Sequence, residues 1–250
     1  MSVTIRKWLF LALLLPCLAF GQALNFITMD QEPHHHLAFK NDYVKVFLVA
    51  VNPGDSIQMH SHDRDTVAIA IGEQAVTVGF PDKPSVHQTN PDGQLRLQKT
   101  GYVHSTAVDP GTVYRTVAVE LMQNQEDSHN LCAAVMAGQP LDCLDTKNPL
   151  TSSKFVKEPE FQSNQTRIQL VHVMPGESVH VGSAEFNLLI VALDAEILMP
   201  PSGNAAVKNL RPGDFFWINK GEPYRAMKNP AKSEARFVEF EFTPVAGTPK

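Results

Sequence analysis

A chain of 250 residues with 43% hydrophobic and 19% charged side chains has the makeup of a globular protein rather than a disordered one. Its length suits one large domain or two of ordinary size, each able to bury its own core. The formal net charge is −5 and no run of Lys or Arg occurs, which argues against nucleic acid as a partner, because phosphate binding needs clustered cations.

Residues 1–23 read as an export signal. Arg6 and Lys7 form a positive start, Trp8 to Phe20 is apolar and of signal-core length, and small residues allow cleavage after Gly21 or after Ala23. A retained membrane anchor is the other reading, but the run is short for a bilayer span. Cleavage would leave 19 Lys and Arg against 26 Asp and Glu, and a periplasmic or secreted chain with no stable membrane anchor.

Beyond the signal, short runs rich in Val, Ile, Phe and Thr alternate with Gly, Pro, Asn and Asp turns, and 18 prolines argue against helices. Asp92-Gly93 reads as a hairpin turn. Val44–Asp55 (VKVFLVAVNPGD) recurs 122 residues later as Thr166–Glu177 (TRIQLVHVMPGE). The match continues in Thr66–Ile71 and Leu188–Leu193, and each half closes on a similar strand, Thr116–Leu121 and Phe237–Phe242. A period this long marks a duplicated domain, and many short strands in each half predict two all-β barrels or sandwiches. The expected division is 24–122 for the first barrel, 123–155 for a connector and 156–250 for the second barrel. Cys17 leaves with the signal, so Cys132 and Cys143 read as a disulfide pinning the connector, worth on the order of 2–3 kcal/mol. Two unpaired buried thiols are the alternative.

The chemistry concentrates in Pro53-Gly54-Asp55-Ser56-Ile57-Gln58-Met59-His60-Ser61-His62. Histidines two apart share one face of a strand, so His60 and His62 can reach a common ion. Such ions take imidazole nitrogens at about 2.0–2.2 Å, usually three or more. His104, in Gly101-Tyr102-Val103-His104, is the candidate third ligand.

This arrangement resembles the cupin family. Its first motif runs Gly, five residues, His, one residue, His, three or four residues, Glu, and Gly54, His60 and His62 match it. Its second ends in Pro-x-Gly-x-x-His, which Gly101 and His104 match. The resemblance covers almost the whole chain after the signal, once per half, and implies two tandem jelly-roll barrels. It also implies one divalent transition metal (Fe, Mn, Ni or Zn) held by His60, His62 and His104. The chain departs from the motifs at the glutamate, where Thr66 or Val67 stands, at the second-motif proline, which is Lys99, and at its later asparagine, which is Val108. It therefore resembles the three-histidine variant of the family, whose missing carboxylate leaves the ion more positive and favours an anionic ligand.

In the second half the histidine positions are Gly182, Ala184 and Tyr224. That barrel reads as degenerate, either structural or a metal-free pocket built from Trp217, Tyr224 and Glu185. His180 keeps the strand parity of the lost pair and is expected to face inward without partners. Five residues are candidate substrate contacts: His34 and His36, which share a face of an extended stretch at the barrel mouth, and Arg64, Thr66 and Tyr102. An exposed tract is the plainer account of His34–His36, and a solvated loop that of Arg64. The functional expectation is a cupin acting on a small organic molecule as an oxygenase, isomerase or lyase. A non-catalytic ligand binder and a structural bicupin dimerising through its barrels are the alternatives.

Overall fold

Strand pairing repeats as faithfully as the sequence does. A computed structural model describes residues 26–126, 129–130, 134–135, 149–194, 197–199 and 208–244. The expected export signal, Cys132 and Cys143 lie outside the described residues.

Apart from one short 3-10 turn, every regular element described is a strand. In the first half a six-stranded sheet runs Ala134–Val135, Leu95–Gln98, Thr66–Ala70, Tyr114–Leu121, Val44–Val51, His35–Lys40. In the second half the corresponding sheet runs Phe215–Ile218, Asn187–Ala192, Ala235–Phe242, Thr166–Val173, Phe155–Gln162. The smaller sheets also correspond. Ser56–Ser61, Val103–Val108, Gln74–Gly79 and Val86–Asn90 in one are matched by Ser178–Val181, Arg225–Lys228, Ile197–Met199 and Lys208–Leu210 in the other. Two tandem antiparallel barrels of one topology are the result, as the internal repeat predicts.

The strand Thr66–Ala70 is buried at every residue because both of its faces are covered. Val67 and Ile69 join Val117, Val119, Leu189, Val191, Phe240 and Phe242 in one core between the two large sheets. A second core, with Phe47, Val49, Val76 and Tyr114, fills the first barrel, and a third, with Val171, Leu188, Ile190 and Phe237, fills the other. The molecule is thus four sheets deep, with three apolar layers between them. Each large apolar side chain so buried contributes roughly 2 kcal/mol relative to its exposed state.

Asp92-Gly93 is a turn, with Gly93 at φ 78°, but it does not close a hairpin. Val86–Asn90 pairs with Gln74–Gly79, and Leu95–Gln98 pairs with Thr66–Ala70, so the turn carries the chain from one sheet to the other. It also meets the second barrel: Arg236 donates to Asp92 Oδ2 at 2.7 Å and to Asp194 at 2.9 and 3.0 Å. The connector touches both barrels, His129–Asn130 pairing with Phe161–Gln162 and Ala134–Val135 with Arg96–Leu97.

Candidate metal centre

The strand Ser56–Ser61 pairs antiparallel with Val103–Val108, and the register sets His60 opposite His104. A bulge between Ile57 and His60 re-aims the end of the first strand. His62 follows directly; its N–H donates to the Tyr102 carbonyl at 2.9 Å, and its own carbonyl accepts from Gly101 N–H at 2.8 Å. Gly101, at φ 82°, turns the chain just before Tyr102, and Gly54, at φ 83°, turns it before the first strand. Side chains with a Cβ rarely adopt that backbone, which is the physical content of the two matched glycines.

All three imidazoles are buried, and one nitrogen from each lies within 4.8 Å of the other two. His60 Nδ1 donates to the Gln58 carbonyl at 2.9 Å, so its lone pair sits on Nε2, a buried atom with no hydrogen-bond partner. Thr66 Oγ1 lies 3.4 Å from His62 Nδ1, and Thr106 Oγ1 lies 3.4 Å from His104 Nδ1. Thr66 spends its own proton on the Arg64 carbonyl at 3.2 Å, so it is free to accept from His62. Each ring is therefore braced at Nδ1 and offers Nε2 to the interior, the arrangement that outer hydrogen bonds give to metal-binding histidines. His62 Nε2 and His104 Nε2 stand 3.0 Å apart. Two nitrogens about 2.1 Å from one ion and at right angles to each other would be separated by about that distance.

Burial keeps the rings uncharged. It is the largest cause holding His60 down to about 4 and His62 and His104 well below the usual histidine value; neighbouring imidazoles add to it, and at His60 the Gln58 carbonyl and Glu32 oppose it. Neutral imidazole is the form that binds a divalent transition ion, so these residues fit such an ion. Thr66, at the family's glutamate position, supplies no carboxylate. Its cross-strand neighbour Glu120 is committed to Lys45 at 3.0 Å, and Asp65 to Lys99 at 3.1 Å and Thr100 N–H at 2.9 Å.

Tyr102 joins the cluster, buried with its ring centroid 4.8 Å from that of His104. Arg64 does not; it donates to the Met122 carbonyl at 2.7 Å beside a polar cleft of about 420 Å³ that Asp63, Lys99 and Gln123 also line. His34 and His36 lie as the plainer account has them, toward solvent and not facing the histidine cluster. His36 pairs with exposed Leu48 and is itself exposed, and His34 leans on Glu32 Oε1 at 3.0 Å with its side chain 35% exposed. The inward ring is that of His35, which pairs with core residue Val49 and stands 4.9 Å from His60. Glu32 Oε2 holds His35 Nδ1 at 2.7 Å. Burial acts to raise the Glu32 carboxyl, but hydrogen bonds from His35 and His34 outweigh it and bring it to about 2.

Arg96 is another residue that sequence reasoning passed over. It is 2% exposed, its strand pairs it with Ala68, and Ala68 pairs with core residue Ala118, so its side chain projects into the first barrel. The only trace in the sequence is alternation in Leu95-Arg96-Leu97-Gln98, which by itself suggests a polar face turned to solvent.

In the second barrel the histidine positions are built otherwise. Gly182 lies at φ 143°, and a Cβ there would stand 3.1 Å from Tyr224 Cα and Cδ1. Ala184, Glu185 and Tyr224 are exposed, and Trp217 stacks on Phe242 and meets Tyr43 at a tilt in the layer between the barrels. Trp217, Tyr224 and Glu185 therefore share no pocket. His180 is also exposed, because Val179 and Val181 take the inward positions. Among the described residues, His60, His62 and His104 form the one group of metal-ligating side chains.

No family model matches the chain, and no curated protein sequence matches it. Solved structures do. AerE from Microcystis aeruginosa is similar at 9% identity and a TM-score of 0.56, over 85% of this chain and 99% of its own. A formate complex of Lactobacillus farciminis oxalate decarboxylase is similar at 12% identity and 0.52, over 90% and 88%. A Bacillus subtilis oxalate decarboxylase described for its Mn(II) centres is similar at 14% and 0.51, over 91% and 79%. At such identities the likeness is one of fold, which is two tandem cupin jelly-roll barrels.

Proposed function

We propose that this chain is an exported bicupin that holds one divalent transition metal ion through Nε2 of His60, His62 and His104 and acts on a small organic molecule in its first barrel. The observation that carries the reading is the buried Nε2 of His60, without a protein partner, facing two more imidazoles whose Nδ1 atoms are already engaged. An ion bound there supplies Lewis acidity, or dioxygen chemistry if it is iron(II). Thr66, Thr106 and the Gln58 carbonyl fix the rings, and the apolar walls of Phe47, Val78 and Tyr114 exclude water. The second barrel, with Gly182, Ala184 and Tyr224 at the ligand positions, serves as structural support.

The test is the metal content of tag-free protein. The wild type is expected to retain one equivalent of ion, and His60→Ala/His62→Ala to lose it. Full retention by that double variant would overturn the reading and place the metal elsewhere, with the His34–His36 tract the first suspect. Oxygen uptake and product analysis with small organic acids then separate an oxygenase or isomerase from a non-catalytic binder.

A further inference from the structure

The interior of the first barrel contains a buried cation that has no counterion among the described residues. Arg96 lies on the inward face of its strand, two residues from Gln98, which is paired with Thr66 beside the histidine cluster. Its positive charge is felt at both Tyr102 and His104. Nε and Nη2 are fully buried and meet no hydrogen-bond acceptor, and among the described residues no carboxylate pairs with this side chain. Buried charges are normally paired, because removing one from water is costly.

Which atoms lack a partner is informative. Nε and Nη2 form one edge of the guanidinium and direct two parallel N–H bonds outward, the geometry that a carboxylate accepts with both oxygens. The same protein shows that edge in use. Arg236 donates from Nε to Asp194 Oδ2 at 2.9 Å and from Nη2 to Asp194 Oδ1 at 3.0 Å. At Arg96 the equivalent acceptor does not come from the described chain. The two buried carboxylates described in this half lie elsewhere: Glu120 is held by Lys45 and Glu32 by His34 and His35.

We infer that Arg96 is the carboxylate-recognition residue of the first barrel, gripping the carboxylate of a small organic acid with its Nε–Nη2 edge and presenting the rest of that molecule to the three-histidine centre. This deepens the proposed function by naming the ligand class of the same interior. Three neutral imidazoles bring no negative charge, so an ion there would add to the positive charge of Arg96, and an anionic ligand answers both.

The experiment is calorimetric titration of wild-type, metal-loaded and metal-free protein with acetate and formate, with acetamide as the uncharged control. Wild type is expected to bind the acids and to discriminate against acetamide. Arg96→Gln should weaken acetate binding by about a hundred-fold. Arg96→Lys should recover only part of it, since an ammonium lacks the planar fork. Arg96→Met serves as the folding control: in acetate-free buffer it should melt above the wild type, having lost an unpaired buried charge, and it should show no further rise with acetate. Equal acetate affinity in wild type and Arg96→Gln, or equal binding of acetate and acetamide, would overturn the inference. Metal content separates the two proposals. If Arg96→Gln keeps its one equivalent while acetate binding ignores the substitution, this inference fails alone. If wild type holds no ion yet acetate binding still depends on Arg96, the metal reading fails and this one stands.

Discussion

The two threonines beside the histidines do work that their neutral side chains conceal. Thr66 and Thr106 each present a hydroxyl to an Nδ1 atom, and Thr66, whose own proton goes to the Arg64 carbonyl, accepts from His62 and so selects the tautomer with a free Nε2. Thr66→Val and Thr106→Val are each expected to weaken metal affinity by about ten-fold or more while leaving the fold intact, as metal titration against a competing chelator would read. Protonation acts on the same atoms. His60 is held at about 4, first by burial, against an ordinary value of 6.5. Between those values the unfolded chain binds more protons than the folded one, so the stability that this residue contributes is complete above about pH 6.5 and falls as the pH drops toward 4. His62 and His104 shift in the same direction. Glu32, at about 2 against an ordinary 4.5, continues the loss below pH 4.5. Metal-free protein should therefore lose melting temperature steadily from pH 6.5 downward; a flat profile between pH 7 and 4 would contradict buried neutral imidazoles.

Among the elements, the turn at Asp92-Gly93 is the most constrained. Gly93 combines φ 78° with a position where a Cβ would meet Arg236 Nη1 at 2.9 Å and Leu193 Cδ1 at 3.1 Å. Gly93→Ala is expected to cost about 1–3 kcal/mol, through backbone strain and displacement of the Arg236 bridge, measurable as a shift in the urea midpoint. The sequence makes this turn legible but not its destination, since Asp-Gly between two β runs says nothing about which sheets those runs join. The glycines around the histidine pair were legible because only a local turn was needed, and His60, His62 and His104 followed from strand parity and family spacing. His35 was not legible. Whether it or its neighbours face inward depends on register with Val44–Val51, a pairing that parity within the segment cannot supply. Arg96 was hidden by an inversion: Leu95 and Leu97 lie in the layer between the barrels, so the polar face of that strand turns into its own barrel. Trp217 was misplaced for a related reason: besides Phe242 its ring meets Phe39 and Tyr43, which belong to the other half of the chain.

At the scale of the whole molecule, the repeat foretold two barrels of one topology but not that their large sheets would bury each other. That layer carries Val67, Ile69, Val117 and Val119 from one side and Phe161, Leu189, Phe240 and Phe242 from the other. The first barrel expressed without residues 156–250 would present those side chains to water across a broad sheet face. It is expected to associate or precipitate, and to lose metal retention even though every proposed ligand is still present; sedimentation and metal analysis of the fragment would check this. A soluble, monomeric, metal-retaining fragment would show that the layer is dispensable.

The shared layer also bears on why a half with no metal-ligating cluster among its described residues would persist. Selection on chemistry alone would leave Gly182, Ala184 and Tyr224 free to drift, and deletion of their barrel would be harmless. A lineage that discarded this half would uncover the back of the sheet carrying Thr66 and Arg96, so its outer surface alone would be a reason to keep it, whatever its interior holds.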